Sequence, residues 1–166
     1  MKKIFLLVAV GVLFALGAQA QQKIGYINSS ELMAAMPEYK KATDDITAYQ
    51  KTFVDQGQTM QKELETKYNA YIATDPKTLS DAVKQVKEKE IQDLQKRLQE
   101  LEASMQEKVG AKQEELMKPV FEKAKKAIED VGKENGYTYV LDAAGLLYAK
   151  EGDNVLPLVK AKLGIK

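Results

Sequence analysis

Tyr71-Ile-Ala-Thr-Asp-Pro-Lys-Thr-Leu-Ser-Asp-Ala82 interrupts a long run that otherwise reads as polar helix. Asp75-Pro76 is a boundary between two domains, a kink in one rod, or the tip of a hairpin, and the flanking segments decide which. From Pro37 to Ala73 the apolar positions are Tyr39, Ala42, Ile46, Tyr49, Phe53, Met60, Leu64, Tyr68 and Tyr71. Their helical spacing draws one narrow seam through Lys, Asp, Glu, Gln and Thr. Beyond the interruption Ser80 can cap a second helix. Its seam runs Val83, Val86, Ile91, Leu94, Leu98, Leu101, Met105, Val109 and Leu116. Pro119 interrupts that pattern, a more apolar stretch from Val120 to Val131 carries the helix on, and Gly136 ends it.

Facing residues of an antiparallel hairpin share a constant index sum, and a loop from Thr74 to Ser80, centred on residue 77, predicts about 154. Ile46 with Val109, Tyr49 with Met105, Phe53 with Leu101, Met60 with Leu94, Leu64 with Ile91 and Tyr71 with Val83 all sum to 154 or 155. The arms, Pro37 to Ala73 and Ser80 to Lys118, hold 37 and 39 residues. At ~1.5 Å per residue each is roughly 55–60 Å long. The interruption therefore reads as a hairpin tip, with Pro37 and Pro119 paired at the base. In this register Gly57 faces Leu98 and Gly110 lies near Ile46. Each glycine either relieves crowding or loosens its helix, so Pro37, Gly57, Gly110 and Pro119 are the hinge candidates.

The beginning of the chain has a different purpose. Met1-Lys2-Lys3 is a basic n-region, Ile4 to Leu16 an apolar core, and Ala18-Gln19-Ala20 an A-x-A site. That core of 13 residues is short of the ~20 that span a bilayer. A signal peptide over residues 1–20, cleaved after Ala20, is expected, leaving an exported chain of 146 residues. It has no cysteine to form a disulfide or accept a lipid. Removing Lys2 and Lys3 from the 25 basic residues leaves 23 against 24 acidic ones, with Arg97 the only arginine. This balance argues against nucleic acid as a partner.

The same inventory disfavours an enzyme. With no His and no Cys, zinc sites and His- or Cys-based catalysis are excluded. Gly110-Ala-Lys112 and Gly132-Lys133 lack the spacing of a phosphate-binding loop. Asp44-Asp45 and Glu114-Glu115 diverge by about 100° on a helix and read as solvated faces; Asp142 reads as a turn former. No catalytic residue, metal or cofactor is expected. Near the tip Lys62, Lys67, Lys77, Lys84, Lys87 and Lys89 are offset by Glu63, Glu65, Asp75, Asp81 and Glu88, so membrane contact at the tips has no support from charge.

The two ends of the exported chain carry strands. Lys23 to Asn28 reads as one, Tyr137 to Leu141 as a second and Leu146 to Ala149 as a third, with a turn over Asp142 to Gly145. Ser29-Ser30 can cap a helix from Ser30 to Ala35, and Gly152-Asp153-Asn154 another from Val155 to about Leu163. The fold class is α+β: residues 21–36 and 119–166 form a discontinuous β-containing body, and residues 37–118 a helical hairpin arm with its tip near 74–80. So few strands leave open edges, so several chains are expected to pool them in an obligate oligomer. The candidates for that contact are Ile24, Tyr26, Ile27, Val120, Phe121, Ile128, Tyr139, Val140, Leu141 and Leu147.

Lys23-Ile-Gly-Tyr-Ile-Asn28, Met36-Pro37-Glu38-Tyr39, Lys118-Pro119-Val120-Phe121, Gly136-Tyr-Thr-Tyr-Val-Leu-Asp142 and Gly152-Asp153-Asn154-Val155 stand in this order around a Lys/Gln-rich middle. In that order the chain resembles the Skp (OmpH) family of periplasmic chaperones over essentially all of its exported length. The resemblance implies a homotrimer, a body with three tentacles, that holds unfolded outer-membrane proteins between them in the periplasm without ATP. The chain departs from familiar members in being near neutral rather than basic, and in lacking the Ile-Thr that often follows the final Asp. Neither electrostatic capture nor a lipopolysaccharide site is therefore carried over. Apolar residues outside the seam or at its thin end, Val54, Tyr68, Tyr71, Ile72, Leu79 and Val86, are the client-binding candidates. The alternative function is a structural coiled-coil adaptor or spacer of the cell envelope that binds a folded partner.

Overall fold

The computed structural model describes residues 22–74 and 79–165. The expected signal peptide and the Asp75-Pro76 turn lie outside the described residues. The elements are β1 (Ile24–Ile27), α1 (Ser29–Ala35), α2 (Pro37–Ile72), α3 (Asp81–Glu134), β2 (Tyr139–Asp142) and α4 (Leu156–Lys162), with short 3-10 turns at Ala143–Gly145 and Glu151–Asp153. The chain divides into two compact units: Pro37–Phe121, and the segment ending at Met36 together with Glu122–Lys166.

Pro37 opens α2 at a position where its missing N–H is not needed. The 36 residues of α2 extend about 54 Å. Ser80 stands just before α3, where the Val83 N–H approaches its Oγ at 3.4 Å. Pro119 lies inside α3, which continues to Glu134; its ring removes one backbone hydrogen bond without ending the helix. Gly136, at φ +69°, ends the helical run. The left-handed turn lets the Tyr137 N–H donate to the Gly132 carbonyl at 2.9 Å. The Lys23 ammonium donates to the Asn135 carbonyl at 2.9 Å and lies 4.1 Å from the centre of the Tyr137 ring, a favourable place for a cation beside the last carbonyls of a helix.

The two long helices form an antiparallel hairpin, but its register differs from the one expected. A methyl group on Gly57 would lie 3.7 Å from Leu101, not against Leu98. Lys67 pairs with Glu90 at 2.9 Å, and the Tyr71 hydroxyl donates to Glu88 at 2.5 Å. These partners sum to 157–159, so the helices have slid by about one turn relative to the expected pairing. The reason is periodic: a seam with steps of three and four matches itself again one turn further on. Met60, Ile91 and Leu94 remain buried in the slid register. Val83, expected to pack against Tyr71, is instead 41 % exposed.

In the other unit β1 and β2 pair in parallel, with Ile24 opposite Tyr139, Gly25 opposite Val140, Tyr26 opposite Leu141 and Ile27 opposite Asp142. Val155 then donates to the Tyr26 carbonyl at 2.9 Å, and a single bridge joins Tyr26 to Asn154. Helix α1 packs on α4, and Leu32, Met33, Met36, Val131, Val155, Leu156 and Val159 form the buried core of this unit. Glu31 with Lys160, at 3.0 Å, and Glu134 with Lys162 hold α4 at its exposed rim.

Two local expectations are corrected. The cap of α1 is Asn28, whose side chain accepts from the Glu31 N–H at 3.0 Å; Ser29 already lies in the helix and donates to Asp142 instead. Leu146 to Ala149 forms no strand. Asp142 caps the 3-10 turn by accepting from the Ala144 N–H at 2.9 Å, which carries the chain off the β2 edge before a third ladder can form. Asn154 and Val155 meet β1 in its place, so strand-forming composition finds no partner strand within the chain.

Candidate functional site

A helix with a one-sided seam leaves its flanks to solvent, and here those flanks are not uniformly polar. Val54, Tyr68, Ile72 and Val86 are all at least 42 % exposed. At 100° per residue Val54 and Ile72 point in the same direction from α2, and Tyr68 lies within about 40° of them. The structure thus aligns three of the candidates along one line. Val86 is not among them. A cavity of about 320 Å³ beside Gly57 is lined by Phe53, Val54, Leu98, Leu101, Glu102 and Met105. A second, across the seam, is lined by Gln56, Met60, Arg97, Glu100, Leu101 and Ser104. Val86 is in helical line with Arg97 and Glu100, on the side away from Val54.

The remaining two candidates sit at the tip. Tyr71 and Leu79 are half-buried and share a recess with Ile72, Thr74 and Lys84. Val83 belongs to this exposed distal set and was assigned to the seam by the sequence; only the true register, which sequence periodicity leaves ambiguous by a turn, separates the two.

Polar links close the hairpin at this end. Lys67, hydrogen-bonded to Glu90, holds that carboxyl below its ordinary range, and Glu90 in turn raises the Lys67 ammonium. The bond to Glu88 pushes the Tyr71 hydroxyl up, because it favours the protonated, donating form. Further from the tip, Lys41 with Asp45 and Lys51 with Asp55 pair along α2, and exposed threonines such as Thr43, Thr47 and Thr59 donate back to helix carbonyls. These are self-satisfied solvent faces. Among the described residues no group of three or more carboxylates is placed to hold a metal, and no helix is long and apolar enough to cross a membrane.

The sheet offers a second surface. Parallel pairing puts Ile24, Tyr26, Tyr139 and Leu141 on one face. Ile24, Tyr139 and Leu141 are exposed and Tyr26 is half-buried. The opposite face carries Gly25, Ile27 and Val140 toward the core. Leu147 is entirely exposed and Tyr148 nearly so. Of the other assembly candidates, Phe121 is exposed, Ile128 and Val140 are half-buried, and Ile27 and Val120 are buried within the chain itself. Among the hinge candidates, Pro37 starts α2 and the other three lie inside the long helices. A methyl group would meet nothing within 4 Å at Gly110 and only ordinary contact at Gly57, so crowding explains neither glycine.

A long antiparallel helical hairpin and a small α+β unit with an apolar outer sheet face define the fold class, a mostly helical α+β chain with one two-stranded sheet. Residues 23–163 match the model of the outer membrane protein (OmpH-like) family. The chain belongs to this family. It is 23 % identical to the chaperone protein Skp of Photorhabdus laumondii over 157 residues, covering 93 % of this chain and 94 % of the relative. It is also 23 % identical to the chaperone protein Skp of Vibrio cholerae over 150 residues, 90 % of this chain and 88 % of the relative. A crystal structure of an OmpH-like outer membrane chaperone from Caulobacter crescentus CB15 shares the fold, with a TM-score of 0.76 at 14 % identity, over 88 % of this chain and 86 % of that one.

Proposed function

We propose that this protein is an ATP-independent holdase of the periplasm, which binds unfolded outer-membrane proteins and keeps them from aggregating on the way to the outer membrane. The observation that carries the reading is the line of Val54, Tyr68 and Ile72 on an otherwise charged helix, in a chain of the OmpH-like family. Each isolated apolar group contributes roughly 1 kcal/mol of contact. Arms from several subunits acting on one client multiply such contacts without requiring a defined client sequence. Weak, repeated contacts also release a client without fuel.

Assembly as a homotrimer through the sheet completes the proposal. An exposed apolar face of Ile24, Tyr139 and Leu141 beside an open strand edge favours burial against other copies. The exported protein is expected to be multimeric by light scattering, and a monomer at micromolar concentration would sink this part. The functional test dilutes a urea-unfolded outer-membrane barrel protein into buffer with excess assembled protein. Suppressed aggregation is expected; aggregation that proceeds unchanged defeats the holdase reading.

A further inference from the structure

Apolar burial along the hairpin stops well short of its tip. Met60, Ile91 and Leu94 are its outermost buried residues. From Gln61 to Thr74 and from Leu79 to Glu90, no described residue is buried. Across this outer segment the links between the two helices, among the described residues, are Lys67 with Glu90 at 2.9 Å and Tyr71 with Glu88 at 2.5 Å. The remaining distal ion pair, Lys84 with Asp81, lies within α3. We propose that the outer hairpin is a separately opening element, closed by a polar clasp of Lys67–Glu90 and Tyr71–Glu88 above the apolar plug of Met60, Ile91 and Leu94.

The physical basis is a change of interaction type along one seam. Apolar burial is not weakened by ionic screening, whereas exposed ion pairs are weak and screened. The Debye length falls from about 10 Å at 0.1 M salt to about 3 Å at 1 M. Helices without tertiary support at their ends fray with small opening free energies. Salt therefore loosens the tip while the plug holds the hairpin below it. The charges around the clasp act consistently: Glu63 lies near Lys67, and Lys87 near Glu90, each of opposite sign to its neighbour. Opening uncovers the inner face of the half-buried Leu64, above the plug, so the amount of apolar surface at the tip follows ionic strength. This device does not depend on what the arm binds.

Amide hydrogen exchange on the full exported protein tests it. Between 0.1 M and 1 M KCl, residues 66–74 and 81–90 are expected to exchange roughly two- to fivefold faster, the range set by exposed ion pairs, while residues 56–62 and 92–100 keep their rates. Glu90→Gln is expected to produce the same distal acceleration at low salt and to lose most of the further response to KCl, while Glu90→Asp, which keeps the charge, is expected to stay close to the native rates. Exchange that rises evenly along the hairpin, stays unchanged in Glu90→Gln, or rises as much in Glu90→Asp as in Glu90→Gln overturns the proposal.

Discussion

Gly25 passes so close to Val155 that a methyl group on it would lie 2.8 Å from Val155 Cγ1 and 2.9 Å from the Tyr137 ring. Val155 is completely buried and donates its N–H to Tyr26, so neither the side chain nor the backbone it meets is free to retreat. The contact joins β1, the segment leading into α4, and the residue that closes the end of α3. Gly25→Ala is expected to destabilise this unit by about 1–3 kcal/mol, the range for overpacking a filled core. A thermal melt of the variant checks this; an unchanged midpoint would show that Val155 and Tyr137 can move aside.

The two arm glycines predict the opposite sign. Nothing lies within 4 Å of a methyl group at Gly110, and at Gly57 only Leu101, at an ordinary 3.7 Å. Both sit inside long helices, where Gly costs about 1 kcal/mol relative to Ala. Gly110→Ala and Gly57→Ala are each expected to raise hairpin stability by roughly 0.5–1 kcal/mol, read from denaturant midpoints. If stability rises while capture of unfolded protein falls, the glycines are retained for flexibility, as the hinge assignment proposes.

Asp142 ties β2 to α1. The Ser29 hydroxyl, and after it the Ala144 N–H, hold its carboxyl below the ordinary value of 3.8. A depressed folded pKa contributes stability that is present above the unfolded value and is lost as pH falls through the folded one. The melting midpoint is therefore expected to drop more between pH 6 and pH 3 (roughly the carboxylate range) in the native protein than in Asp142→Asn. Equal acid sensitivity in the two proteins would remove Asp142 from the acid response.

How far the sequence could be read depends on which signal each element leaves. The hairpin was legible because Asp75-Pro76 separates two seams of similar length, and a repeated step of three and four survives any local irregularity. Its register was not, since the same repeat is satisfied one turn away, and the choice depends on how Gly57, Leu101 and the tip residues pack. Gly25–Val155 was invisible: the two residues are far apart in sequence, and glycine in a strand carries no pattern. Leu146 to Ala149 misled for a related reason. Strand composition records what a segment can pair with, and the missing partner edge is set by the Asp142 turn and by Asn154 at Tyr26. Exposed apolar residues on the arm could be read individually, but their alignment on one side required the helix itself.

That alignment yields a comparison between matched surface changes. Val54, Tyr68 and Ile72 share one line of α2, whereas Val86 lies across the seam in line with Arg97 and Glu100. None of the four is buried, so replacing them by Ser is expected to leave the hairpin folded, with stability changes within about 0.5 kcal/mol each. If clients lie along one side of the arm, the triple variant Val54→Ser, Tyr68→Ser, Ile72→Ser loses roughly 1 kcal/mol of contact per residue and arm. Its affinity for an unfolded barrel protein is then expected to fall by about a hundredfold or more. Val86→Ser is expected to be nearly silent. Both variants are titrated against a fluorescently labelled, urea-diluted barrel protein, with circular dichroism confirming the helix content. Equal loss per residue on the two sides would mean that clients contact the arm all round. A silent triple variant would move capture away from this line, toward the Tyr71–Leu79 recess at the tip.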